Sequence, residues 1–150
     1  VITEGGHTIA TDAALIATGA SAADWLRGTG LALDELGFVA VNSRLQSTSH
    51  PFVFAAGDAA TLIETPRPKS GVYAVRAAPP LAHNLIAALT AQPLSAFKPQ
   101  RRALYLLTTG PKHAIASWGP WGFAGRWVWY WKDRIDRDYI AKFRRPNSDP

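Results

Sequence analysis

The chain has 150 residues, 47% hydrophobic and 18% charged, a balance that suits a globular domain and excludes a disordered or low-complexity chain. No apolar stretch approaches the roughly 20 residues that a membrane-spanning helix needs. With no Cys in the sequence, a disulfide framework, a thiolate metal site and a redox-active Cys pair are excluded within these residues. The net charge of +5 is unevenly placed. Residues 1–97 carry five Lys/Arg against seven Asp/Glu, and residues 98–150 carry eleven against four, so a near-neutral front part precedes a basic tail.

Val1–Ala10 reads as a small hairpin around the turn signal Gly5-Gly6. Ala13–Ala17 is a short apolar run ending at Thr18-Gly19, the pattern of a strand buried on both faces. Because the chain holds no Met and opens inside strand-like sequence, it is expected to be a piece of a longer protein. Residues 21–36 are mixed, with a short helix expected near Ala22–Leu26. Phe38–Val41 and Val53–Ala56 are further strand candidates, the second stopping at Gly57-Asp58. A loop with two prolines over 61–70 leads into a helix over 71–91, which Pro79-Pro80 is expected to kink or split.

Residues 91–100 read as a linker. Strands are expected over 102–109 and 113–118 around Gly110-Pro111, then a turn at Gly119–Gly122. A terminal helix is expected over 125–144, with Val128, Trp131, Ile135, Tyr139 and Phe143 marking one face. The order is that of an α/β protein with a C-terminal α+β region.

Three places point to a ligand. Gly57-Asp58 stands at the expected carboxyl end of a strand, where open α/β sheets bind ligands. Gly permits close backbone approach and Asp accepts hydrogen bonds from hydroxyls, although Gly-Asp also makes an ordinary turn. Thr18-Gly19 is a second strand exit. The start of the helix at Gly71 offers free N–H groups and a positive dipole end.

His7, His50, His83 and His113 have no metal-ligand spacing and read as structural or surface residues. The aromatic cluster of Trp118, Trp121, Phe123, Trp127, Trp129, Tyr130 and Trp131 is interleaved with Arg126, Lys132, Arg134 and Arg137. Aromatic core or subunit contact is the preferred reading, ahead of a membrane-surface anchor, with nucleic-acid stacking last.

Together these residues carry a resemblance. Ala17-Thr18-Gly19, Gly37–Val41, Pro51–Asp58, Arg67–Arg76 and Pro79–Leu85, in that order and spacing, resemble the end of the two-dinucleotide-binding-domain flavoproteins, the pyridine nucleotide-disulfide oxidoreductases in the broad sense. The similar branches are type II NADH dehydrogenases and the flavoprotein domain joined to selenide, water dikinase. Thr108–Gly110, Ala114–Ser117 and Trp131–Arg137 extend the likeness to the second branch.

The resemblance implies a Rossmann-like FAD/NAD(P)-binding fold. Residues 1–18 would close an NAD(P)H-binding domain, 19–92 would be the C-terminal part of an FAD-binding domain, and 93–150 an α+β appendage. It implies FAD as cofactor and NAD(P)H as co-substrate. Asp58 would hold the ribityl or phosphate part of FAD, with Gly57 allowing the approach. Val72 and Tyr73 would face the pyrimidine edge, and Thr18 and Gly19 would line the return between domains.

The upstream part of the same protein is the implied partner, since no G-x-G-x-x-G occurs here to cradle a pyrophosphate. The resemblance leaves the electron acceptor open, with a small molecule and a quinone as the candidates. Type II NADH dehydrogenases carry glutamines on the helix where this chain has Val72, Arg76 and Ala77, a departure that weighs against quinone. Arg76 is read either as stabilising a reduced flavin or as pairing with Glu64. The rival readings are an interaction or membrane-docking module with a decayed flavin site, and a regulatory flavoprotein domain fused to a selenophosphate synthetase. A cytoplasmic location, or one at the inner face of the membrane, is expected.

Overall fold

The computed structural model describes residues 1–14 and 19–144. Residues 15–17 of the first expected strand, and Thr18, lie outside the described residues. The opening hairpin forms. Thr3 donates to the His7 carbonyl at 3.0 Å, and Ile2 and Thr8 make one antiparallel bridge.

The front part is built around a two-stranded parallel sheet, β1 (Val39–Val41) with β2 (Ala60–Leu62). Its β-branched and small residues are buried together with Leu26, from a 3₁₀ turn at Asp24–Gly28, and Leu31, Leu33 and Ala55 pack against them. The expected strand at Val53–Ala56 does not form a ladder. Those residues instead close onto the preceding turn: Phe54 bridges Gln46, Ser47 donates to the Val53 carbonyl, and Ala55 donates to the Leu45 carbonyl. An apolar run becomes a strand only where a neighbouring strand takes its backbone groups, and here the 45–47 turn takes them first.

Helix α1 runs without interruption over Gly71–Leu89, through Pro79 and Pro80. The two prolines neither end nor split it. They leave the carbonyls of Val75 and Arg76 without their i+4 donors, and both residues are exposed, so water can serve those oxygens. Residues 91–100 have no regular structure but are tied down. Asn84, fully buried on α1, donates to the carbonyls of Arg44 and Ser95 at 2.8 and 2.9 Å and accepts from the Ser95 amide at 2.8 Å. Phe97 donates to the Ser43 carbonyl at 2.7 Å.

The C-terminal part is an antiparallel sheet in the order β3 (Leu104–Gly110), β4 (His113–Trp118), β5 (Trp121–Gly125), with α2 (Arg126–Ala141) on one face. The expected turn at Gly119–Gly122 is shorter, and β5 begins at Trp121. Gly125, at φ +134°, lets β5 pass directly into α2, a conformation that side chains resist. Ala114 and Ala116 on β4 let Val128 descend onto the sheet, and the three are buried with Leu104, Leu106 and Trp129 around them.

Of the expected helix face, only Val128 is fully buried; Trp131, Ile135, Tyr139 and Phe143 remain exposed by 40% or more. Three strands at about 4.8 Å spacing make a sheet barely as wide as one helix, so it covers a single row of side chains. Of the aromatic cluster, Trp129 packs against this core, whereas Trp118, Trp121, Phe123 and Trp127 stay substantially exposed. No helix among the described residues is long and apolar enough to cross a membrane.

Candidate functional site

Asp58 lies in a one-turn 3₁₀ helix, Gly57–Ala59, immediately before β2. It therefore stands at the amino end of a strand, not at the carboxyl end of the expected one. Gly57 has φ +65°, and a Cβ there would sit 3.1 Å from the Ala74 Cβ. The missing side chain is thus used by α1, which packs against this turn. Asp58 itself is exposed and lines two cavities. One is a pocket of about 40 Å³ shared with Gly57, Thr61, Lys69, Ser70 and Tyr73, room for one small group. The other is a cleft of about 460 Å³ with mainly apolar walls, including Trp25, Leu26, Val39 and Phe54.

The small pocket gathers Gly57, Asp58 and Tyr73. Val72 instead lines a different cleft, between α1, the start of β3 and α2. The Tyr73 amide donates to the Ser70 carbonyl at 3.1 Å. Of the two amides expected to face a flavin, helix geometry leaves only that of Val72 free. Ser70 is the N-cap residue, yet its hydroxyl makes no capping bond; its Oγ is buried with no hydrogen-bond partner among the described residues. A buried hydroxyl without a partner is costly, and a polar group brought to this helix start would satisfy it. Gly19, at φ +31°, lines none of these cavities.

Lys69, Asp34 and Thr61 escaped the sequence reading. The Lys69 ammonium donates to the Ala60 carbonyl and to Thr61 Oγ1, the latter at 2.8 Å, and lies 4.0 Å from the centre of the Phe38 ring. Thr61 Oγ1 donates to Asp34 Oδ2 at 2.6 Å, while Asp34 Oδ1 accepts from the amides of Leu36 and Phe38 at 3.0 and 2.9 Å. Burial lowers the Lys69 pKa, against the opposing pull of Asp34 and Asp58. For Asp34, burial acts upward but is outweighed by the hydrogen bonds from Thr61, Phe38 and Leu36 and by the charge of Lys69, so its pKa lies below the ordinary 3.8. The network fixes the loop ahead of α1 to the sheet. Asp34 within Asp-Glu-Leu-Gly was readable as a turn residue; nothing local announced Lys69.

Arg76 makes no ion pair with Glu64; the three pairs among the described residues are Lys132–Asp136, Arg134–Asp138 and Arg137–Asp133, all on α2. Ala77 is buried. His50, His83 and His113 each lie within hydrogen-bond distance of a hydroxyl, at 2.9, 3.1 and 2.7 Å. No group of His, Asp and Glu suited to a metal occurs among the described residues.

A parallel strand pair, a glycine turn locked under a helix start, and an acid beside that start define a mixed α/β protein with a polar site at a helix N-terminus. The chain belongs to the pyridine nucleotide-disulphide oxidoreductase family, whose model matches residues 1–78. Membership carries the FAD/NAD-binding Rossmann-like fold and places the chain among flavin-dependent oxidoreductases, which typically bind FAD with NAD(P)H. No curated protein matches the chain.

Proposed function

We propose that this chain forms the flavin-contacting end of an FAD-dependent NAD(P)H oxidoreductase. The observation that carries the reading is the pocket where Asp58, the unpartnered Ser70 hydroxyl and the first turn of α1 meet, within the family match. Bound FAD supplies the redox chemistry, taking a hydride from NAD(P)H and passing electrons onward.

In this reading Asp58 accepts hydrogen bonds from the ribityl or phosphate part of FAD. Ser70 and the free Val72 amide bind polar atoms at the helix start, where the dipole favours electron-rich groups. Tyr73 contributes its side chain to the same pocket. Thr18 and Gly19 belong to the return between an NAD(P)H domain ending near residue 18 and an FAD domain running to about 92. The upstream part of the protein supplies the phosphate-cradling loops.

The finer likeness, to type II NADH dehydrogenases and the dikinase-linked flavoprotein domain, belongs to the same proposal. Val72, Arg76 and Ala77 in place of glutamines favour a small-molecule acceptor over a quinone. A second reading, a docking module with a decayed flavin site, draws on the exposed aromatic strip along β5 and α2. There Phe123 meets Trp127 edge-on at 6.0 Å and Trp127 stacks on Trp131 at 6.4 Å.

The full-length protein, purified without added cofactor, is expected to show flavin absorbance that bleaches with NADH or NADPH. Asp58→Ala is expected to weaken FAD binding about tenfold to a hundredfold, the loss of hydrogen bonds to a charged acceptor. A colourless protein that FAD cannot reconstitute would favour the docking module.

A further inference from the structure

Residues 63–70 carry the chain from β2 to the start of α1. Pro66 and Pro68 within them have no backbone N–H with which to fasten it. Ile63 donates to the Val41 carbonyl at 3.0 Å. For 64–69, the hydrogen bonds to the rest of the fold, among the described residues, are those of Arg67 to the Gln100 carbonyl and of Lys69 to β2. Of the two, Lys69 alone ties the segment to the strand that Asp58 precedes.

The hold is specific. The half-buried ammonium donates to the Ala60 carbonyl and to Thr61 Oγ1, and it lies over the Phe38 ring, a face that attracts a cation. Thr61 passes the hold on, since its hydroxyl donates to Asp34 while accepting from Lys69. One hydroxyl thus bridges a cation and a carboxylate, which is how charges taken partly out of water are kept. The residue after Lys69 is Ser70, whose carbonyl accepts the amides of Tyr73 and Ala74 at 3.1 and 3.2 Å and so begins α1. The close approach of Gly57 to Ala74 sets how near α1 lies to the Asp58 turn. The Lys69 clamp sets where its first turn begins, and a binding site loosens when its supporting groups shift by about half an ångström.

We propose that Lys69 is a positioning residue of the flavin site: clamped to the Ala60 carbonyl and Thr61, and through Thr61 to Asp34, it holds Ser70 and the first turn of α1 against Asp58 in the geometry that binds FAD. The inference rests on the flavin reading above and adds to it a residue that acts through the helix start, without itself touching the cofactor.

The test is FAD titration of the full-length protein, with the visible circular dichroism of the bound flavin read at saturation. Lys69→Met keeps an unbranched chain over Phe38, and Thr61→Val keeps a β-branched strand residue, so the second variant carries the test if the first does not fold. Each is expected to raise the Kd for FAD about tenfold, the scale of one lost charged hydrogen bond, and to change the flavin dichroism. The double variant is expected to lose little more than either single one, because both break the same clamp. Asn84→Ala breaks buried hydrogen bonds about 20 Å farther along α1. It is expected to lower the melting temperature while leaving the Kd for FAD within about twofold of wild type. Wild-type Kd and dichroism in the clamp variants, full additivity in the double variant, or an equal loss in Asn84→Ala would each overturn the proposal. A wild-type protein that takes up no FAD would overturn the flavin reading as well, whereas FAD held equally by wild type and clamp variants overturns the role of Lys69 alone.

Discussion

Asp34 joins two pieces of chain through one carboxylate: the turn before β1 through the amides of Leu36 and Phe38, and β2 through Thr61. Its pKa lies below 3.8 because those hydrogen bonds and the Lys69 charge outweigh the effect of burial. A carboxyl with a depressed folded-state pKa contributes stability that is present above its unfolded pKa and lost as pH falls through the folded one. Stability is therefore expected to drop below about pH 3.8, measured by urea unfolding across an acid series. Asp34→Asn is expected to lower stability at neutral pH and to flatten that acid dependence; an unchanged acid slope would remove Asp34 from the account. Lys69 runs in the opposite sense. Burial depresses its pKa below 10.5, so this group alone makes stability rise with pH as the lysine approaches deprotonation.

At the scale of elements, α1 reaches the 57–59 turn because that turn presents no side chain at Gly57. An alanine there would have to hold φ +65° and meet the Ala74 Cβ at 3.1 Å. Gly57→Ala is expected to cost about 1–3 kcal/mol in a denaturation experiment and to displace the start of α1, which also carries Ser70 and Val72. Helix α2 rests on a different balance. Its i,i+4 ion pairs place the basic residue first in Lys132–Asp136 and Arg134–Asp138, and the acid first in Asp133–Arg137. Only the last has the order that also suits the helix dipole. Arg137, an exposed side chain, has its pKa raised by the hydrogen bond and charge of Asp133. The helix is held mainly by Val128 seated over Ala114 and Ala116.

For the whole molecule, two small cores, one around β1 and β2 and one between α2 and the antiparallel sheet, leave much apolar surface uncovered. Phe52 is 91% exposed, Leu89 87% and Trp25 71%. Both faces of a parallel sheet ordinarily require cover, and unpaired strand edges invite association. The 150-residue chain is therefore expected to self-associate at micromolar concentration. A monomer by light scattering with a sharp cooperative melt would overturn that expectation.

The chemistry of near neighbours was legible in the residues themselves. The helix expected over 71–91 spans Gly71–Leu89, and the one expected over 125–144 spans Arg126–Ala141. The hairpin of β3 and β4 lies where its turn signal placed it. Periodicity, turn residues and a proline-flanked helix start act over a few positions, so sequence alone determined them, and with them the family. Tertiary contacts decided the rest. Val53–Ala56 reads as a strand until the 45–47 turn takes its backbone groups. Thr61 bonds Asp34 across 27 positions, and Asn84 bonds Arg44 across 40. Burial and strand pairing depend on which distant segment packs at a given surface, and no local pattern of residues encodes that.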